Sequence, residues 1–230
     1  MFKSQMRCQK ILCFVCLILA ALMFVYSLGY ITSYYELLSF TVDKDIGYDY
    51  QKVEGVLFYW DLQTVISYEE VEIYDEYDNF LGTETKEIRQ VGFVDQLVVV
   101  AIIGIVVALT LYITNTQKRR LYYIGNYIST GLFAGYNIGV SAWVMARITY
   151  FYSQFKNINF EQLEQFCKVN NKPFDINGPK ITTILGYVLC IALILAAIAI
   201  VLNLVWKLML QKREHNMLQQ SSVQEVAVNG

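Results

Sequence analysis

Charge is missing from most of this chain. Only 17% of its 230 residues are Asp, Glu, Lys or Arg, against about a quarter in an ordinary soluble domain. None of these, and no histidine, falls within residues 11–35, 96–117, 121–146 or 181–206. Runs without an ionisable group argue against a proton relay or a charge-coupled transporter, whose pathways are marked by such residues. A disulfide framework is missing as well. Of the five cysteines, Cys8, Cys13 and Cys16 lie at or within the first run, Cys190 lies in the fourth, and Cys167 stands alone in a loop. That is unlike a small extracellular module held by paired cysteines. No Asn-x-Ser/Thr sequon occurs, so glycosylation gives no support for a secreted loop. Both absences fit a bacterial plasma-membrane protein. A basic footprint is absent too: the net charge is −2, and phosphate recognition needs a cationic surface, which excludes nucleic acid as a partner.

The catalytic inventory is equally thin. The runs hold only hydroxyls, amides and isolated cysteines, without the nucleophile and base, metal ligands or acid/base pair that an active site requires. The one histidine, His215, sits in a polar tail from Gln211 onward, read as solvated and disordered. The expectation is a protein that is not an enzyme, with no cofactor and no metal.

What is present is length. Each uncharged run exceeds the roughly 20 residues that a helix needs to cross a bilayer. The fold expected is a mainly α membrane protein, a four-transmembrane-helix bundle with a small antiparallel β-rich extracellular domain from the first loop. Residues 1–10 precede the first crossing at 11–35. The acidic loop covers 36–95, the second crossing 96–117, and a basic turn 118–120. The third crossing covers 121–146, a second loop 147–180, the fourth crossing 181–206 and the tail 207–230. The first run is too long for the apolar core of a signal peptide, and no small-residue cleavage site follows it, so it reads as a retained helix.

Four crossings put both termini on one side. That side carries Lys3, Arg7, Lys10, the turn Lys118-Arg119-Arg120, and Lys207, Lys212 and Arg213. Nine basic residues lie on each side, but the first nine are packed into 37 residues beside helix ends and the other nine are spread over 94. The positive-inside rule weighs short loops and helix flanks, which places the termini in the cytoplasm. The loop of residues 147–180 gives a modest contrary signal, with five basic residues against three acidic.

The third run is the least lipid-like. Gly131, Gly135 and Gly139 form one stripe, and Asn126, Thr130, Ala134, Asn137 and Ser141 form another, with Leu132, Phe133, Tyr136, Val140 and Trp143 between them. Small residues let helices approach and buried amides bond across them. Helix packing is therefore assigned to Gly131, Gly135, Gly139, Asn126 and Asn137, with Gly104 on the second run as a docking position and only the bulky arc facing lipid. Aromatic pairs at run ends, such as Tyr34-Tyr35 and Tyr122-Tyr123 and the trio Tyr150-Phe151-Tyr152, read as interfacial belts.

The first loop is strongly acidic. Between Tyr34 and Val94, 14 acidic residues face Lys44, Lys52, Lys86 and Arg89, a net charge of −10. Residues 56–60, 64–68, 71–74 and 85–93 are rich in β-branched and aromatic side chains and read as strands, with turn chemistry at Asp78-Asn79 and Gly82. Asp43, Asp45, Asp49 and Glu54 are spaced like a calcium loop, but Gly47 stands where that pattern needs an Asp or Asn. In the second loop Asn159 is a candidate N-cap for a short helix carrying Phe160, Leu163 and Phe166 on one side. Pro173 and Asn177-Gly178-Pro179 then break the chain before the fourth run.

The plan of a larger first loop, a tight basic turn and a smaller second loop is similar to that of claudin-type tetraspan proteins. Those carry a Trp-rich signature with a cysteine pair in the first loop, whereas this loop has Trp60 in Phe58-Tyr59-Trp60-Asp61 and no cysteine. The cysteine-rich second loop of tetraspanins is absent too. The likeness is one of topology, and no functional residue is carried over from it. The functional expectation is a tetraspan accessory or assembly subunit presenting an acidic outer domain to membrane or extracellular protein partners. The alternative is a small-solute or ion transport component with the polar stripe of the third run lining a cavity.

Overall fold

The computed structural model describes residues 2–30, 32–33, 62, 64–74, 77, 80–116, 124–169 and 174–229. The expected strand at 56–60, the spaced acids Asp43, Asp45, Asp49 and Glu54, the Asp78-Asn79 turn, Pro173, the Tyr34-Tyr35 and Tyr122-Tyr123 pairs and the basic turn Lys118-Arg119-Arg120 lie outside the described residues. The elements in chain order are α1 (Phe2–Tyr30), β1 (Val65–Tyr74), β2 (Phe80–Gln90), α2 (Phe93–Thr116), α3 (Ile124–Lys156), α4 (Phe160–Val169) and α5 (Asn177–Asn229).

Among the described residues three helices are long and apolar enough to cross a membrane, within Lys3–Tyr30, Phe93–Thr116 and Asn177–Gln220. The fourth expected crossing falls in α3, which has the length but not the same apolarity. Asn126, Ser129, Thr130, Asn137 and Ser141, with four glycines, dilute it.

Several helix ends differ from the sequence expectation. α1 starts at Phe2, so Lys3, Arg7 and Lys10 ride on the helix itself, because nothing in that stretch breaks a helix and Lys, Gln, Arg and Met favour one. α3 runs past Ala146 to Lys156. The tail after Gln211, expected to be disordered, continues α5 to Asn229. It contains no Pro or Gly before the final residue, and ten of the 18 residues from Lys212 to Asn229 are the helix-favouring Ala, Leu, Met, Arg, Lys, Gln or Glu. Asn177-Gly178-Pro179 opens α5 rather than breaking the chain ahead of it. Asp175 accepts bonds from the Asn177 and Gly178 amides at 2.8 and 3.1 Å, an N-cap, and Pro179 fits the first turn, where its missing N–H costs nothing.

The chain divides into two compact units. One comprises residues 1–25, 100–145 and 186–230. Its core draws Cys13, Cys16 and Ala20 from α1, Val107, Ala108 and Leu111 from α2, Phe133 and Ala134 from α3, and Ala196, Ala197 and Ile200 from α5. Four helical segments thus share one interior. The other unit comprises residues 26–99 and 146–185 and holds the sheet, α4 and an aromatic cluster. Phe93 packs edge-on against Tyr30 at 5.4 Å between ring centroids and lies 5.4 Å from Phe151. Phe155 stacks on Tyr152 and meets Phe160. Phe151 is therefore a buried core ring and not an interfacial one. Asn159 accepts a bond from the Gln162 amide at 3.2 Å, capping α4, and Leu163 and Cys167 turn inward.

Among the described residues the sheet is a two-stranded antiparallel ribbon. The expected strands at 64–68 and 71–74 are one continuous β1, since Glu69 and Glu70 between them simply occupy opposite faces of the ribbon. Gly82 lies inside β2 and not in the turn. Pairing runs from Val65↔Gln90 to Ile73↔Gly82, then jumps to Tyr74↔Phe80, leaving Leu81 as an extra residue. Gly82 has φ of 149° at this bulge, a backbone state open essentially to glycine alone. Gly82→Val is therefore expected to destabilise the ribbon by about 2 kcal/mol. Amide exchange in 71–84 should quicken while exchange in the buried turns of α2 stays unchanged. Equal protection in mutant and parent would refute the strained bulge.

Candidate functional site

Two arrangements of polar side chains stand out, one in each unit. The first is the ribbon. β1 and β2 are 10 and 11 residues long, about 33 Å at the usual rise per residue. Directly opposed residues share a face, so Ile66, Tyr68, Glu70 and Glu72 lie with Arg89, Glu87, Thr85 and Thr83, while Ser67, Glu69 and Val71 lie with Ile88, Lys86 and Glu84. The described positions from Ile66 to Tyr74 are exposed, and those of β2 are exposed or half-exposed. Ile66, Tyr68, Val71, Tyr74, Phe80 and Leu81 are all open to their surroundings. The ribbon carries Glu69, Glu70, Glu72, Glu84 and Glu87 against Lys86 and Arg89, and is net acidic. Its ion pair, Arg89–Glu87 at 2.8 Å, is local to β2. The Tyr74 hydroxyl donates to Glu72, and the neighbouring carboxylate holds the phenol above its ordinary pKa. At the base, Asp95 in the first turn of α2 accepts a bond from the Thr64 amide at 2.5 Å, tethering the start of β1 to a helix N-terminus that favours an anion.

A two-stranded ribbon with apolar side chains on both faces, whose edges meet no third strand among the described residues, is marginal by itself. Neither edge is blunted by proline, and such edges are templates for another strand. Chemically, the ribbon can offer main-chain hydrogen bonds, alternating apolar contacts and an acidic field.

The second arrangement is a buried polar network tying the four helices of the other unit. Gln5 donates to Gln9 at 3.0 Å, and Gln9 donates to Asn115 on α2. Asn115 donates to Ser129 Oγ on α3 at 3.0 Å. With its amide oriented so that both neighbours are satisfied, Asn126 donates to Thr114 O at 2.6 Å and accepts from Lys207 Nζ of α5 at 2.9 Å. Tyr127 donates to Gln211 at 3.1 Å. Lys207 is only 6% exposed, and among the described residues no carboxylate stands within 4 Å of it. The network holds no nucleophile with a base, and among the described residues no group of three or more His, Cys, Asp or Glu could hold a metal. Its role is to bond buried polar groups across helices and so fix their register.

The packing residues distribute unevenly. Asn126 and Asn137 are buried, together with Thr130, Ala134 and Ser141. Asn137 donates to Phe133 O of its own helix at 2.9 Å, so its amide group is engaged within α3. Gly104 is buried, and a Cβ there would stand 3.5 Å from the Tyr136 ring, whose hydroxyl donates to Val100 O. Gly131, Gly135 and Gly139 lie on the exposed face of α3, where a Cβ would meet nothing within 4 Å. Of the orientation residues, Lys118, Arg119 and Arg120 lie outside the described residues. Gln5, Gln9, Asn115 and Lys207 escape the sequence reading as network members. Gln5 and Gln9 sit four apart in a stretch read only for its charge, and that spacing is the one available signal. The chain matches no protein family, no curated protein and no solved structure.

Proposed function

We propose that this chain is a non-enzymatic tetraspan protein of the plasma membrane, an accessory or assembly subunit that engages protein partners through its acidic ribbon. The observation that carries this reading is the ribbon itself: long, uncovered on both faces, net negative and, among the described residues, paired with no third strand. A surface so costly to leave open in water fits a partner that supplies strand pairing, apolar contact and positive charge. In this reading α3 is the fourth crossing. Its support is the shared core, in which Phe133 and Ala134 of α3 pack with residues of the three apolar helices. The basic residues crowded beside the ends of the runs support cytoplasmic termini, and four crossings then put the ribbon outside.

The test is retention of partners. Full-length tagged protein extracted in mild detergent should carry at least one other polypeptide, held through the ribbon. Deleting residues 65–90 should remove that polypeptide while leaving the helical unit folded. Raising the salt from low to physiological strength and beyond should weaken retention on the order of tenfold, as expected for a charged interface. Retention of the same polypeptide by the deletion variant would refute the ribbon as the docking element. The transport reading predicts instead that a cysteine replacing Asn137 reacts with a hydrophilic thiol reagent.

A further inference from the structure

The two edges of the ribbon differ in a way that points to one occupant for each. β1 carries Glu69, Glu70 and Glu72 and no Lys or Arg. Two copies of β1 laid side by side can form no opposite-charge pair, and their glutamates would repel. β2 carries Glu84, Lys86, Glu87 and Arg89, both signs in alternation. In an antiparallel pair related by a two-fold axis perpendicular to the sheet, opposed residues must share a face, which restricts the registers to those with one residue on the axis facing its own copy. An axis at Glu84, Lys86 or Glu87 sets like charges against each other. An axis at Thr85 does not. It pairs Gly82 with Ile88 of the second copy, so the regular stretch of β2 from the bulge to Ile88 is matched with its own copy. It places Thr85 beside its own copy and Glu84 opposite Lys86 twice over.

We infer that the free edge of β2 is a self-complementary dimerisation edge, at which a second copy of this chain pairs antiparallel about Thr85 to give a four-stranded sheet. The inference rests on the ribbon being the outward interaction element proposed above and names the partner at one of its edges. In the four-stranded sheet Lys86 lies between Glu69 of its own ribbon, its opposed residue on β1, and Glu84 of the other. A cation flanked by two carboxylates answers the excess of acid that the isolated ribbon leaves uncompensated. Thr85 meets its copy in a favourable threonine–threonine pair. The sheet doubles from two strands to four, past the point at which a ribbon is stable only by support from elsewhere. β1 becomes the outer edge on both sides, uniformly acidic and closed to self-pairing, and is left for a cationic partner. Confinement of both copies to one membrane raises their effective concentration, so the strand pairing needs little intrinsic affinity.

The experiment uses the full-length chain in membranes. Under mild oxidation the Thr85→Cys chain is expected to form a covalent dimer on non-reducing gels. The parent chain, with its five native cysteines, and a Glu70→Cys chain, whose position on β1 lies one strand farther from the axis, should remain monomeric. Placed in the Thr85→Cys background, Lys86→Glu and Glu84→Lys should each reduce the covalent dimer about tenfold, since each sets two like-charge pairs across the axis. Co-expression of the two, carrying different tags, should restore a mixed dimer, because each then supplies what the other lacks. A Thr85→Cys yield no higher than that of Glu70→Cys, or no mixed dimer, overturns the inference. The two readings fail separately. Loss of the covalent dimer with a ribbon-dependent partner still bound removes only the β2 pairing. A covalent dimer in a preparation whose foreign partner survives ribbon deletion removes only the partner reading.

Discussion

Asn126→Leu is expected to lower the unfolding free energy of the full chain in mild detergent by about 3 kcal/mol. Lys207→Met, added to it, should return most of that loss. Two groups depend on the Asn126 amide. Its oxygen accepts from the Lys207 ammonium at 2.9 Å and its nitrogen donates to Thr114 O at 2.6 Å. Thr114 lies in the last turn of α2, where the helix leaves its carbonyls without amide partners. Leucine satisfies neither group, and the ammonium of Lys207, a residue only 6% exposed, keeps its desolvation cost without the oxygen that offset it. Replacing the lysine as well removes the stranded charge, and a flexible apolar side chain fits the same space. Lys207→Met alone should be nearly neutral. The double-mutant cycle, read from denaturant or thermal unfolding curves, should show a coupling of about 2 kcal/mol. Additive losses would mean that the lysine does not bond to Asn126.

Phe133→Ala should cost about 3 kcal/mol, the low end for a buried phenylalanine, whereas Leu132→Ala next to it should change stability by less than about 0.5 kcal/mol. Phe133 is 0% exposed and lies in the core shared by α1, α2, α3 and α5; Leu132 is 54% exposed. The cost falls at the low end because the reference state in detergent is itself apolar, leaving mainly lost dispersion contacts and the cavity. Unfolding curves for the two variants settle the rotation of α3 about its axis. Equal costs would place the helix in another orientation.

That pair of neighbours also marks where sequence reasoning runs out. By composition Leu132 and Phe133 belong to one bulky arc facing lipid. The structure divides the arc, burying Phe133 and leaving Leu132 open. It also exposes Gly131, Gly135 and Gly139 while burying the asparagine stripe. A helical wheel orders side chains around one axis, but which sector turns inward depends on the neighbours, and these lie far away in sequence. The Asn126–Lys207 bond spans 81 positions and the Gln9–Asn115 bond 106, beyond the reach of any local pattern. Where the signal is local, the reading fares better. The Asn159 cap holds because cap and capped amide are three residues apart. The antiparallel ribbon is legible from β-branched and aromatic residues, although the bulge at Gly82 is not, since a glycine in such a stretch reads equally as turn or as strand.

The amino-acid sequence alone determined the class of this protein. Long uncharged runs can be satisfied in an apolar medium only by helices, and three such helices are present. It also determined that the acid is concentrated between the first two runs, and that a β-forming stretch lies within it. Only the tertiary structure decided that this stretch is a ribbon whose edges meet no third strand among the described residues, that a lysine lies buried against an asparagine, and that the glycine stripe of α3 faces outward. The physical reason is range. Hydropathy and propensity act within a turn or two of chain, whereas edges, buried pairs and helix rotation are set by contacts between residues that meet only when the chain has folded.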